Sequence, residues 1–325
     1  MPNPVRPFKP IRMLVLCTAL WAVSFPAMKA LVMAQQASLP QADSWFFASL
    51  CVVYRFSLAA LLVALLSART IGALTRLEAW QGLGLGLFGG AGMLIQMDGL
   101  AHTSASTSAF LTQCYVLFIP LWVAIQERRR PKPVVALCCA MVMAGVAVLA
   151  RLNWRDLRMG RGEVETILAS VLFAGQILWL GRPKFAHNRV NHFSLVMFAT
   201  MSLVGVPVAW LTAPQPADWI RAYNTSATLG ILGILVVFCT LGAFMLMNRW
   251  QRHVTTTQAG LIYCLEPVFA SACALFLPAW FSVWATVHYA NERLTANLLG
   301  GGGLIIAANV LVLIGSRPAA AAEGR

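Results

Sequence analysis

Residues Ala259–Val268 read AGLIYCLEPV, an apolar run that carries one acidic residue, Glu266, directly before Pro267. In a soluble protein such a run would be an ordinary core segment. Its surroundings decide otherwise: hydrophobic residues make up 59% of the 325-residue chain and charged ones only 11%. Apolar stretches of about 20 residues, enough to cross ~30 Å of hydrocarbon, recur from end to end. A carboxylate inside a membrane must have a partner or a job.

Working outward from that stretch, ten spans are expected, near 13–32, 45–68, 80–100, 104–125, 133–149, 164–180, 192–211, 227–247, 257–277 and 294–314. The predicted fold is therefore an all-α polytopic membrane protein. The N-terminal Arg6, Lys9 and Arg12 precede an apolar stretch without a convincing small-x-small cleavage site. That stretch reads as the first span rather than a removable signal.

Lys and Arg are retained on the cytoplasmic side, so their placement orients the chain. With the N-terminus inside, sixteen of the 24 basic residues fall in cytoplasmic segments, among them Arg128, Arg129, Arg130, Lys132, Arg182, Lys184, Arg189, Arg249 and Arg252. Both termini are then cytoplasmic, in a bacterial inner membrane. Arg151, Arg155, Arg158 and Arg161, between spans five and six, fall outside and run against the rule. The net charge of +13 is explained as topology, and no nucleic-acid partner is required.

The eight cysteines all fall within spans and lack zinc-site spacing, so they read as small apolar packing residues. The five histidines show no metal-ligand pattern. No metal and no cofactor is expected, and a nucleotide-binding loop is absent from the sequence.

The two halves echo each other. Thr103–Ser106 opens span four, which runs through Tyr115 to Pro120; Thr255–Thr257 opens span nine, which runs through Tyr263 to Pro267. Leu20-Trp21-Ala22 is matched by Leu172-Phe173-Ala174. Two five-helix units result, 1–150 and 151–325. Five is odd, so the second unit enters the membrane from the opposite face, giving an inverted repeat.

The pieces WAVSFPAMK at 21–29, RFSLAA at 55–60, TSASTSAFLT at 103–112, LEPVFA at 265–270 and ERLT at 292–295 resemble the EamA-type transporters of the drug/metabolite transporter superfamily. The resemblance runs over nearly the whole chain and both repeats. It implies a carrier, often an exporter, of amino acids or related amphipathic metabolites, working by alternating access. One departure is the insert 278–290, PAWFSVWATVHYA, whose aromatic rings suit either interfacial anchoring or a lid over the outer mouth.

The residues that could form a substrate site are Trp21, Arg55, Gln96, Gln113, Tyr115, Gln176, Tyr263 and Glu266. Arg55 lies about 15 Å along span two, too deep to reach the surface easily. Its partner is open: a substrate carboxylate, Glu266, Asp98, or helix-end carbonyls. Glu266 suits a proton-coupled step, and equally a buried acid that satisfies backbone groups freed by Pro267. The uncharged polar residues read as cavity groups or as bonds between helices. Trp21, Ser24 and Met28 share one helical face, as a pocket wall or a packed seam.

The expected partners are a small-molecule substrate and the lipid bilayer, with proton coupling and a homodimer left open. The competing reading is a membrane-embedded enzyme acting on a lipid-linked substrate. It would need acid, nucleophile or metal residues gathered at one interface, whereas here the polar groups are scattered singly through span centres.

Overall fold

A computed structural model describes residues 8–103, 108, 111–128, 130, 132–149 and 159–315, and their regular elements are all helices, with no strand among the described residues. The long helices are α1 (Phe8–Ser38), α2 (Ser44–Leu66), α3 (Arg76–His102), α6 (Arg161–Leu180) and α7 (Val190–Thr212). The shorter α4 (Tyr115–Glu127) and α5 (Pro133–Leu149) lie between α3 and α6. Among the described residues, six helical stretches are long and apolar enough to cross a membrane, and a bent pair makes a seventh. Three further apolar helices, α4, α5 and the last, are shorter. The chain is a multi-pass membrane protein.

Two expected spans depart from a regular α-helix, the eighth in its winding and the ninth by a break. The eighth is α8 (Ser226–Ile234), a π-helical stretch (Leu235–Gly242) and α9 (Ala243–Trp250). The ninth breaks at Cys264 and Leu265, between α10 (Thr256–Tyr263) and α11 (Glu266–Ala274). Proline explains this break, because Pro267 has no amide hydrogen and its ring excludes the helical carbonyl four residues back. Glu266 is thus not in the middle of a helix, as the apolar run suggested, but opens one. A similar turn at Gln113 and Cys114 precedes α4. The first part of the expected fourth span, and Arg151, Arg155 and Arg158, lie outside the described residues.

The insert forms α12 (Leu277–Ala285), bent 60° from the preceding pair. Phe281 is fully buried, whereas Trp280 stays half exposed. Ser282 and Tyr289 tie the return loop to the helix, through Ser282 Oγ to Tyr289 O at 2.7 Å and Tyr289 N to Ser282 Oγ at 2.8 Å. The final helix, α13 (Ala296–Gly315), packs against α5.

Helix starts are written in local chemistry. Asp43 caps α2, accepting from the Trp45 amide at 3.1 Å, and this bond, first among several, holds its carboxyl below the usual range. Thr75 and Glu78 form a capping box at α3, as do Thr255 and Gln258 at α10.

Packing places α2 against α7, and α3 against both α6 and α7. The approach of α3 depends on glycine: a Cβ at Gly84 would overlap the Trp179 indole of α6, and one at Gly86 would meet Thr200 of α7. Each end of α3 is also bound by charge. At its start, the buried Glu78 accepts from Arg189 Nε at 2.8 Å and lies 3.2 Å from His192 Nδ1. Near its end, the fully buried Asp98 accepts from Arg161 at 2.5 Å and from Ser44 Oγ at 2.7 Å.

Candidate functional site

A central cavity with about 630 Å³ of empty space, mouth included, is walled by α1, α2, α3, α6, α9 and the two helix breaks. Seven of the eight residues singled out in the sequence line it: Trp21, Arg55, Gln96, Tyr115, Gln176, Tyr263 and Glu266. Gln113 does not. It sits buried in the turn before α4, and its Oε1 has no partner among the described residues.

The walls are aromatic. Trp21 meets Phe244 and Tyr263 edge to face, with centroids 5.4 and 5.3 Å away. Its indole Nε1 is buried and has no hydrogen-bond partner among the described residues. Ser24 and Met28 join Trp21 in the wall, so the helical face seen in the sequence faces a cavity rather than a packed seam.

The polar groups are held from behind. The Tyr263 hydroxyl donates to Gln251 Oε1 at 2.9 Å, and Gln251 Nε2 donates to the Ile177 carbonyl at 2.8 Å. Gln96 Nε2 donates to Thr112 Oγ1 at 2.8 Å, and Gln176 Nε2 to the Leu85 carbonyl at 3.3 Å. Gln96 and Gln176 keep their amide oxygens for another donor, since these bonds use only the nitrogen end.

Arg55 is 1% exposed, yet it forms no ion pair with Glu266 or Asp98. Of the partners open to it in the sequence, helix carbonyls are the ones it takes. Its NH2 donates to the Cys239 carbonyl at 3.0 Å, and its Nε donates to Thr240 Oγ1. Both acceptors lie in the π-helical stretch. Thr240 passes a bond onward, its hydroxyl donating to the Leu235 carbonyl five residues back at 2.8 Å.

The π stretch and the arginine explain each other. A wider turn leaves carbonyls poorly matched to the helix ladder, and a guanidinium with five donors satisfies one of them. The third nitrogen, NH1, rests 3.6 Å from the Met28 sulfur, a weak acceptor. That nitrogen retains donor capacity toward the cavity.

Glu266 likewise forms no ion pair among the described residues. It stands at the first turn of α11, where the opening amides lack helical acceptors. The cavity therefore carries one fixed cation, bonded to the π-helical stretch, and one carboxyl group at the start of α11, with no ion pair between them.

Sequence reasoning missed Thr240, Thr112, Phe244 and Met247, the last three of which line the cavity. A lone threonine in the run LVVFCTLG has no pattern to announce it, because π geometry has no composition signature. Thr112 could have been found from its place one residue before a turn.

Residues 9–151 match the EamA-like transporter family. An uncharacterized transporter of Archaeoglobus fulgidus is 24% identical over 202 residues, 60% of this chain and 60% of that protein. The chain thus spans about 60% of that relative's length. The pseudopaline exporter CntI of Pseudomonas aeruginosa is 24% identical over 222 residues, 68% of this chain and 74% of the exporter. A protein of known crystal structure superposes with a TM-score of 0.63 over 94% of this chain and 97% of its own, at 16% identity, a likeness of fold alone. These relatives point to transport rather than catalysis.

Proposed function

We propose, from the match of residues 9–151 to the EamA-like transporter family, that the chain is a secondary carrier, an exporter of small zwitterionic amphipathic metabolites such as amino acids. The observation that carries this reading is the pairing of Arg55 and Glu266 in one cavity without an ion pair between them. A ligand with a carboxylate and a protonated amine would neutralise both charges and leave the site without excess charge. A simple cation would face Arg55 unscreened, and a simple anion would face Glu266.

In this reading the substrate carboxylate meets Arg55 NH1 in place of the Met28 thioether, and the amine meets Glu266. The apolar part lies against Trp21, Phe244 and Phe173. Trp21 Nε1, lacking a partner, supplies one further donor to an acceptor on the ligand.

The architecture proposed for this work is ten spans, namely the six long stretches, the bent pair α10–α11 with α12, and α4, α5 and α13. They fall into two five-helix units, 1–150 and 151–325, inverted relative to one another, with both termini in the cytoplasm of a bacterial cell. The turn at Gln113–Cys114 and the break at Cys264–Leu265 occupy comparable places in the two units, which supports the repeat. Alternating access would rock the units about the cavity, with protonation of Glu266 as the step that couples export to a proton gradient.

Uptake and efflux of a labelled panel of amino acids and related zwitterions in sealed proteoliposomes tests this, with the wild type beside Arg55→Ala and Glu266→Gln. Saturable flux of one class, lost in both variants, is expected. Flux that survives both substitutions would detach the site from the activity. Proton-driven flux retained in Glu266→Gln alone would remove that residue from the coupling.

A further inference from the structure

We propose that the seam between α3 and α6 ends in a binding site for one anionic phospholipid, whose headgroup is held by Arg182 and Lys184 above the Trp179 indole. This is independent of what the central cavity carries. Arg182 Cζ lies 4.2 Å from the Trp179 ring centroid and Lys184 Nζ lies 5.4 Å from it. Lys184 also sits 4.9 Å from the Phe185 ring.

Both cations are exposed, and no carboxylate among the described residues pairs with either. The carboxylate of Glu78 is already committed to Arg189 and His192. A guanidinium stacked on an aromatic face keeps its in-plane donors directed outward, the geometry that a phosphate oxygen pair accepts.

The indole is fixed rather than mobile. Trp179 Nε1 donates to the Gln81 carbonyl at 3.1 Å, and the ring lies where Gly84 leaves room for it. Trp80 meets it edge to face at 6.0 Å.

Below this clamp the seam is apolar and open. Trp80, Leu83 and Leu87 form an exposed column on α3, and Leu168 and Val171 are exposed on α6. A headgroup at Arg182 and Lys184 would therefore have its acyl chains beside exposed apolar side chains. That continuity favours a lipid over a free phosphate, which would gain nothing from the column.

The test is retention of phosphatidylglycerol and phosphatidylcholine on the full chain, measured by native mass spectrometry from mixed vesicles, for the wild type, Arg182→Gln with Lys184→Gln, and Lys9→Gln with Arg249→Gln. The last pair removes equal charge from around Trp250. Two basic contacts are expected to give the wild type a preference of about thirty-fold for phosphatidylglycerol. That preference should disappear only in the Arg182/Lys184 variant and weaken with salt.

Equal retention of both lipids by the wild type would overturn the proposal. So would an equal loss in the Lys9/Arg249 variant, which would indicate diffuse surface charge. Displacement of phosphatidylglycerol by millimolar inorganic phosphate would place a soluble anion, not a lipid, on the clamp.

Discussion

Replacing Thr240 by valine removes one hydroxyl at nearly constant volume and, with it, two bonds. Arg55 Nε loses its acceptor, and the Leu235 carbonyl loses a donor. The first loss should dominate. A buried hydrogen bond to a charged group is worth about 1.5–3 kcal/mol, whereas neutral side-chain bonds between membrane helices average about 0.6 kcal/mol. With Arg55 1% exposed, water has little access to replace the lost acceptor.

Together these terms predict that Thr240→Val is less stable by about 2–3.5 kcal/mol. Thr240→Ser keeps the hydroxyl and loses one methyl group, so it should lose at most about 1 kcal/mol. Denaturation in mixed micelles, followed by tryptophan fluorescence, measures both. Valine and serine variants of equal stability would refute the view that Thr240 anchors the arginine. A valine variant whose deficit vanishes in an Arg55→Leu background would instead support it, because the stranded donor is then gone.

Two further outcomes follow from the packing and the caps. Gly84→Ala drives a methyl group into the Trp179 indole and should destabilise the α3–α6 contact by about 1–3 kcal/mol, read in the same micelle assay. Asp43→Ala should remove about 1 kcal/mol of cap stabilisation at neutral pH. Because the Asp43 carboxyl titrates below its ordinary value in the folded protein, its contribution is complete above the unfolded value and is lost as pH falls through the folded one. The difference between wild type and Asp43→Ala should therefore persist at pH 5 and shrink only below about pH 4.

The helical membrane architecture was legible because hydrophobic length is a local property of the chain. Two of the expected segments, 133–149 and 294–314, coincide closely with helices, Pro133–Leu149 and Ala296–Gly315. Cavity residues were legible for a related reason: polar side chains are expensive in lipid, so Arg55, Gln96, Gln176 and Glu266 could be expected to turn inward. What they would bond to was not legible. Arg55 meets a carbonyl and a hydroxyl from a helix some 185 positions along the chain, in a turn whose geometry depends on that contact. Gln113 shows the other limit, since it falls in the turn before α4 and off the cavity wall, and nothing in the apolar run marks that turn.

Helix α3 behaves as a beam clamped at both ends and thinned in the middle. Asp98 fastens one end to α6 through Arg161, and Glu78 fastens the other to α7 through Arg189. Between them lie Gly82, Gly84, Gly86, Gly89, Gly90 and Gly92, which give the shaft little side-chain bulk. At Gly82, Gly86 and Gly90 the helix α7 closes in where a Cβ would stand, and at Gly84, Gly89 and Gly92 the helix α6 does, so the shaft is gripped alternately from two sides between its clamps. Met93 and Gln96, just past this gripped stretch, are thereby held at fixed depth in the wall of the chamber.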